Sequence, residues 1–174
     1  MRWFVAVVVI CLCMFISAAA IGASDQAALQ PTTHTVFVVR HAEKVSDGSH
    51  DPDLSAKGTA RAERLATMLR EEPIIASYVT ATKRSAQTAG PLAASMDLHS
   101  RLYEPTDYDS LARSIDAIEN DGSVLVVGHS NTVSGILEGL GSAPLGELGD
   151  DEYDNLFIVV RAGGEHVRTV RLRF

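Results

Sequence analysis

The sequence predicts an α/β fold: a mostly parallel sheet with helices on both faces, closed by an antiparallel hairpin. Apolar runs rich in β-branched residues alternate with segments of helical period as far as Leu140, and this alternation is typical of βαβ units. The apolar runs contain few polar positions, as strands buried on both faces do. Two further strand-like runs flank Gly163 and Gly164, which predicts the closing hairpin.

The first 23 residues predict a signal peptide. The single charge of Arg2 precedes an apolar stretch, Trp3–Ile16, and small residues follow it, with a cleavage point after Ala23. An uncleaved N-terminal anchor is the alternative, because Trp3–Ile21 is long enough to span a bilayer. We therefore expect a periplasmic or secreted protein, which contacts a membrane only if this segment remains attached.

Residues 24–174 predict a single domain. Domains of about 150 residues bury roughly 68 to 70% of their unfolded surface, so one core is sufficient. Both cysteines, Cys11 and Cys13, lie in the N-terminal segment, so the predicted domain has neither a disulfide nor a thiol nucleophile. The net charge of −7 argues against nucleic acid and anionic membrane surfaces as partners. We expect a monomer.

The first half of this domain predicts two strands and two helices. In chain order these are a strand at 33–41, a polar loop at 42–54, a helix at 55–70, a strand at 74–81 and a helix at 83–96. Ser55 can cap the first helix, whose apolar residues recur from Ala62 at i, i+3, i+4 and i+7. Gly90 and Pro91 could break or kink the second helix.

The second half predicts a short strand, two helices, a buried strand and the hairpin. In chain order these are a strand at 100–103, a helix at 106–120 begun by Thr106 or Asp107, a strand at 123–129, a helix at 131–140 and a hairpin at 155–174. In the last strand Val167, Val170 and Leu172 alternate with charged residues. One face of that strand is therefore expected to face solvent.

Basic residues follow three of the predicted strands. Arg40 and His41 end the first strand, Arg84 follows the second, and His129 ends the strand at 123–129. Ligands of open α/β sheets bind outside the carboxyl ends of the strands, so these four side chains could share one crevice. A phosphate would neutralise their charge, and guanidinium groups bind its oxygens with paired hydrogen bonds. The sequence therefore predicts a phosphate pocket, although it lacks the glycine-rich loop of ATP-type sites.

Four segments resemble the histidine phosphatase superfamily, the branched group that includes the cofactor-dependent phosphoglycerate mutases. They are VVRHAEK, DPDLSAKGTARAERLA, TATKRSAQTA and VLVVGHSNTV, in the family's order. The resemblance implies a phosphoglycerate mutase-like fold and a reaction without metal or other cofactor. It implies that a nitrogen of His41 attacks the phosphoryl group and forms a phosphohistidine, which water hydrolyses. Arg40, Arg84 and His129 would bind the phosphoryl oxygens and stabilise charge in the transition state.

The state of His41 can also be argued from its neighbours. Adjacent cations disfavour a protonated imidazole, so we expect His41 to present a free lone pair near neutral pH. The resemblance further implies an acid that protonates the leaving oxygen, usually located between the counterparts of Arg84 and His129. Glu104 is the first candidate and Asp107 the second. Some small members of the family lack this acid.

Other polar residues near these segments are assigned structural roles. Glu43 could orient His41 or Arg40, or form a salt bridge with Lys44 or Arg84. Ser130 and Asn131 are expected to be helix caps first and pocket contacts second. The loop aspartates are expected to be solvated or to cap turns and helices: Asp51, Asp53, Asp150, Asp151 and Asp154. The acidic run GDDEYD at 149–154 could also bind a cation.

Three functional hypotheses follow. The one we adopt is an exported phosphomonoesterase that hydrolyses small phosphorylated molecules through a phosphohistidine on His41. The alternative is a non-catalytic or slow module that binds or senses a phosphorylated ligand with the same pocket. A third hypothesis is a metal hydrolase that uses His41, His129 and loop aspartates.

Overall fold

The structure, a computed structural model, describes residues 31–174. The predicted signal peptide or anchor at residues 1–23 lies outside the described residues. Residues 31–174 form one compact unit. Within that range no helix is long and apolar enough to cross a membrane.

Strands and helices alternate as the hydrophobic pattern predicts. The elements are β1 (Thr33–Arg40), α1 (Ala56–Leu69), β2 (Ile74–Val79), α2 (Lys83–Ser95), β3 (Arg101–Leu102), α3 (Tyr108–Asp116), β4 (Gly122–Gly128), α4 (Val133–Gly139), β5 (Asn155–Ala162) and β6 (Glu165–Arg173). The predicted strands and helices are thus all present, with differences at their ends.

The strands form one six-stranded sheet in the order β3-β2-β4-β1-β5-β6. The first four strands in this sheet order, β3 to β1, are parallel, and β4 lies between β1 and β2. The last two form an antiparallel hairpin, which joins the sheet beside β1. The predicted fold class is confirmed. Because β1, β4 and β2 are neighbours, the residues that follow them meet at one edge of the sheet.

The helices cover both faces of the sheet. On one face, Leu65 of α1 and Leu92 of α2 pack with Val127 of β4. On the other face, Leu111 of α3 and Ile136 of α4 pack with Val126. Consecutive residues of β4 therefore point into two different cores, which explains why this strand is apolar without alternation.

Helices α2 and α3 differ in detail from their predicted course. Helix α2 continues through Pro91, because Ala89 and Leu92 on either side are buried against the sheet. Helix α3 is capped by Asp107, whose carboxylate accepts a hydrogen bond from the Ser110 amide at 3.0 Å. It ends at Asp116, earlier than the predicted 120.

Helix α4 begins at Val133 rather than at residue 131. The amide of His129 donates to the hydroxyl of Thr132 at 2.9 Å, while the amides of Thr132 and Val133 donate to the His129 carbonyl. These bonds form a turn that occupies residues 129–132. The predicted capping role of Ser130 and Asn131 is therefore wrong, since Thr132 is the N-cap residue.

The closing hairpin turns at Gly163 and Gly164, whose φ angles are +59° and +80°. Glycine adopts this left-handed backbone without steric cost. In β6, however, Val167 and Leu172 are exposed rather than turned to the core. Val160 pairs with Arg168 and Arg161 with His166, so Val167 is the extra residue of a bulge that interrupts the alternation.

Candidate active site

A cavity of 510 Å³ lies at the carboxyl ends of β1, β2 and β4. Four of the five predicted site residues line it: Arg40, His41, Arg84 and His129. The other lining residues are polar or small: Lys44, Thr82, Pro105, Thr106, Ser130, Asn131, Thr132 and Asp150. The topology thus brings the residues that follow three strands into one crevice, as the sequence predicts.

His41 is held by the backbone immediately after β1. Its amide donates to the Gly128 carbonyl at 2.9 Å, which extends the pairing of β1 with β4 by one residue. Its Nδ1 lies 2.8 Å from the carbonyl oxygen of Ala42. A carbonyl oxygen only accepts hydrogen bonds, so Nδ1 carries the proton. The neutral ring then has its free lone pair on Nε2.

Arg84 lies at the start of α2 and points at that lone pair. Its Nε is 3.2 Å from Nε2 of His41, and a guanidinium N–H only donates. The Nη1 of Arg84 lies 3.4 Å from Oδ1 of Asp51. Asp51 also accepts the amide of Lys83 at the first turn of α2, at 3.1 and 3.2 Å. The loop aspartate therefore caps a helix, as expected, and in addition contacts Arg84.

Both histidines of the cavity are held in the neutral form. Burial lowers the pKa of His41 to about 4 against the opposing hydrogen bond to Ala42, and the charges of His129, Arg84 and Arg40 lower it further. Burial and the two arginines likewise lower the pKa of His129 to about 4. The two rings are 5.1 Å apart in an edge arrangement, and Nε2 of His129 lies 2.9 Å from the Thr80 hydroxyl.

Arg40 is buried, with 6% of its surface exposed. Its Nη1 donates to the carbonyls of Gly149 and Asp150 at 2.8 and 3.0 Å. Its guanidinium carbon lies 3.9 Å from the centre of the Tyr153 ring. Its Nε is buried and has no hydrogen-bond acceptor among residues 31–174. The acidic run that the sequence assigned to solvent or a cation therefore contacts the predicted phosphate-binding arginine.

Glu43 is turned away from the cavity. Its carboxylate accepts two hydrogen bonds from Arg61 of α1, at 2.9 and 2.8 Å, and forms an ion pair with Lys57 at 3.2 Å. Burial opposes ionisation, yet these partners lower the pKa of Glu43 to about 2. A Cβ on Gly58 would lie 2.1 Å from the Glu43 carbonyl oxygen, so only glycine allows α1 to approach the segment after His41.

The two candidate acids do not line the cavity. Glu104 is exposed, and the cavity wall contains its neighbours Pro105 and Thr106 instead. Asp107 caps α3, and this hydrogen bond from Ser110 lowers its pKa. Asp150 is the acidic residue in the wall. No group of three or more potential metal ligands is found in residues 31–174.

Comparison with known proteins confirms the family resemblance. Residues 36–105 match the family model described as the histidine phosphatase superfamily (branch 1). This segment contains Arg40, His41 and Arg84, whereas His129 lies beyond it. The match covers less than half of the 174 residues and supports the resemblance to this superfamily that rested on four short segments. A search of curated proteins gave no significant match.

Several solved structures share the fold. The protein histidine phosphatase SixA complexed with tungstate aligns with a TM-score of 0.65 at 21% identity, over 80% of this chain and 96% of its own. A mycobacterial glucosyl-3-phosphoglycerate phosphatase gives 0.61 at 15% identity, over 82% and 98%. A phosphoglycerate mutase from Bacillus anthracis gives 0.56 at 17% identity, over 80% and 93%. The phosphoglycerate mutase-like fold is confirmed.

Proposed function

We propose that this member of the histidine phosphatase superfamily is a phosphomonoesterase that forms a phosphohistidine on Nε2 of His41. One observation carries the proposal. The hydrogen bond from Nδ1 to the Ala42 carbonyl leaves the lone pair on Nε2, and this atom lies 3.2 Å from the Arg84 guanidinium. A nucleophile and a cation that binds phosphoryl oxygens are thus adjacent in the same cavity.

The proposed reaction has two displacements at phosphorus. In the first, the Nε2 lone pair forms a bond to phosphorus while the bond to the ester oxygen breaks; that oxygen leaves with the bonding electrons and, when it is a poor leaving group, takes a proton from the general acid. In the second, the oxygen of a water forms the new bond and releases a proton to that acid's conjugate base or to solvent, while the phosphorus–nitrogen bond breaks and returns the lone pair to His41. Arg40, Arg84 and His129 bind the equatorial oxygens, because charge spread over these oxygens is the main feature that such enzymes stabilise.

Rapid quenching tests the nucleophile. The purified protein would be incubated with p-nitrophenyl phosphate and quenched early, and we expect a phosphoenzyme that is labile in acid and stable in base. His41→Ala should lose both the phosphoenzyme and turnover. His99→Ala is the matched control, since His99 is exposed and does not line the cavity. Wild-type turnover in His41→Ala would contradict the proposal.

Glu104 is our candidate for the acid that protonates the leaving oxygen. With this acid in place, we expect wild-type activity to depend only weakly on the acidity of the leaving group, and the dependence to become steep when the acid is removed. Glu104→Gln should slow hydrolysis of alkyl phosphates and leave p-nitrophenyl phosphate nearly unchanged, since nitrophenolate leaves without a proton. Asp107→Asn keeps an N-cap oxygen and serves as the comparison. Equal loss on both substrates in Glu104→Gln would remove Glu104 from this role.

The alternative function is binding or sensing of a phosphorylated ligand without turnover. The absence of Glu104 and Asp107 from the cavity wall favours it, because neither of these acids is then placed to protonate the leaving oxygen of a bound ester. Isothermal titration with inorganic phosphate separates the two functions. Micromolar binding together with no phosphoenzyme on any tested ester would favour the binding module.

We further propose that residues 1–23 direct export and that the substrates are small molecules. The open, polar wall of the cavity suits sugar phosphates and similar esters. Expression of the full chain, followed by mass analysis of the N-terminus in the exported fraction, tests cleavage after Ala23. An intact N-terminus in the membrane fraction would favour the anchor instead.

A further inference from the structure

We propose that Tyr153 is a positioning residue that holds the Arg40 guanidinium in the orientation needed to bind phosphate. The inference rests on the proposed function, since it concerns an arginine that binds phosphoryl oxygens. Tyr153 belongs to the segment 149–153, between α4 and β5, which the sequence assigned to solvent. Its ring lies 3.9 Å from the Arg40 guanidinium carbon and 6.2 Å from the centre of the His41 ring.

The hydrogen bonds of Arg40 show which edge of its guanidinium is left for a ligand. An arginine has five N–H donors in a fixed plane. Nη1 is used by the carbonyls of Gly149 and Asp150. Nε is buried without an acceptor and is closed off from the cavity, while no described residue accepts a bond from Nη2. The N–H groups of Nη2 are therefore the donors left for a phosphate oxygen, to which a guanidinium gives charge-assisted hydrogen bonds.

The carbonyls and the ring restrict different motions. Two acceptors on Nη1 fix the direction of the guanidinium within its own plane. The Tyr153 ring fixes the tilt of that plane, because a cation is attracted to the face of an aromatic ring. Together they hold Nη2 in one orientation at the cavity wall, so that little entropy is lost when a phosphate binds.

The segment itself is attached to the edge of the sheet. Glu152 accepts the amide of Gly149 at 2.9 Å through one carboxylate oxygen. Its other oxygen accepts from Arg171 and Arg173 of β6 at 3.1 and 3.2 Å. The closing hairpin thus anchors the segment 149–153, and this segment contacts Arg40, although β6 itself does not line the cavity.

Substitution of Tyr153 tests the proposal. We expect Tyr153→Leu to weaken binding of tungstate, measured by isothermal titration, about ten-fold. The Michaelis constant for p-nitrophenyl phosphate should rise with it. Tyr153→Phe keeps the ring and should stay within two-fold of wild type for both measurements. Equal weakening in Tyr153→Phe and Tyr153→Leu would overturn the role of the ring.

A double-mutant cycle shows whether Tyr153 acts through Arg40. In an Arg40→Ala background, Tyr153→Leu should cause no further loss of tungstate binding, since the group that it positions is gone. Full additivity of the two losses would overturn the proposal. If Tyr153→Leu does not fold, Glu152→Ala provides the second variant: it releases Gly149 and should weaken tungstate binding about three-fold, again only when Arg40 is present.

The outcomes separate this proposal from the proposed function. If no phosphohistidine forms on wild-type His41 but tungstate binding shows the expected cycle, Tyr153 positions Arg40 in a binding module and the hydrolase is rejected. If the phosphohistidine forms while Tyr153→Leu binds tungstate and turns over like wild type, the hydrolase stands and the positioning role is rejected.

Discussion

A buried arginine lies at each end of β1, and only one of the two has a hydrogen-bond acceptor at every guanidinium nitrogen. Arg161 of β5 lies opposite His34 at the amino end of β1, and Arg40 lies at the carboxyl end. The two are 5% and 6% exposed. Arg161 binds both carboxylate oxygens of Asp116 and the carbonyls of Leu140 and Gly164. Arg40 contacts two carbonyls and an aromatic ring, and no described residue accepts a hydrogen bond from its Nη2.

The difference in hydrogen bonding distinguishes an arginine with a structural role from one with a functional role, although both are equally buried. A buried charge is expensive unless it is paired, so a saturated arginine such as Arg161 is a structural solution. Buried donors without acceptors are rare in native proteins, and each one calls for an explanation. In Arg40, Nε has no acceptor among residues 31–174, and Nη2 is the donor left for the anion that we propose binds in the cavity. The comparison predicts that the two arginines respond to substitution in opposite ways.

The largest expected effect is the loss of activity in Arg40→Ala. Removal of one donor that stabilises transition-state charge costs about 10² to 10³ in rate, so kcat/KM for p-nitrophenyl phosphate should fall by that factor. The midpoint of urea unfolding should stay at or above that of wild type, because an unpaired buried charge is removed. A clear loss of stability with full activity would reverse the assignment.

Arg161→Ala should show the opposite pattern. The substitution leaves Asp116 without its partner, and breaking a buried pair costs about 3 to 5 kcal/mol. Since 29% of the Asp116 side chain is exposed, we expect the lower end of that range for the free energy of unfolding. Activity per folded molecule should remain, because Arg161 lies at the far end of β1. Urea unfolding and active-site titration measure the two quantities separately.

The pH dependence of stability tests the burial of the two histidines at the cavity end of β1. The imidazoles of His41 and His129 titrate near 6.5 in an unfolded chain but near 4 in the fold. Between these values the unfolded state binds more protons. The contribution of the two histidines to the free energy of unfolding is therefore fully present above about pH 6.5 and is lost as the pH drops toward 4.

Thermal unfolding between pH 4 and pH 8 measures this window. A variant with His41→Asn and His129→Asn should give a flatter profile, since neither side chain titrates there. The Glu43 carboxylate, whose pKa falls from 4.5 to about 2 in the fold, should lose its contribution as the pH drops from about 4.5 toward 2. A wild-type profile that is flat from pH 4 to pH 6.5 would contradict burial as the cause of the lowered pKa values.

The smallest effect is expected for Asp51→Asn. The side chain is 37% exposed and its contact with Arg84 is 3.4 Å long, so solvent weakens the pair. Asparagine can still cap α2. We expect a rise of about three-fold or less in KM at low salt, which shrinks further at high salt. A change in kcat that exceeds the change in KM would give Asp51 a more direct part in the reaction.

The sequence predicts what depends on local pattern. Arg40, His41, Arg84 and His129 were found because each one follows an apolar strand, and strand ends gather at one edge of a parallel sheet. The helical spacing of apolar residues also predicts the helices of the two layers, because Leu65 and Leu111 recur with their apolar neighbours at that spacing.

The sequence does not predict contacts made by irregular segments. Tyr153 reaches Arg40 across more than a hundred residues of chain, and no periodicity links an acidic loop to a strand end. The contact of Asp51 with Arg84 has the same character. Glu104 was chosen from its place in the family's order, and the backbone turn before α3 leaves it exposed while Pro105 and Thr106 face the cavity.

The strand order has a consequence for how the chain acquires its fold. β4 lies between β1 and β2, so the centre of the sheet waits for a strand made after both of its neighbours. Pairs such as Val38 with Val126 join distant parts of the chain, and folding slows as the sequence separation of contacts grows. The amino-terminal half alone has neither His129 nor the segment that holds Arg40. Translation must therefore pass residue 153 before a complete pocket can form.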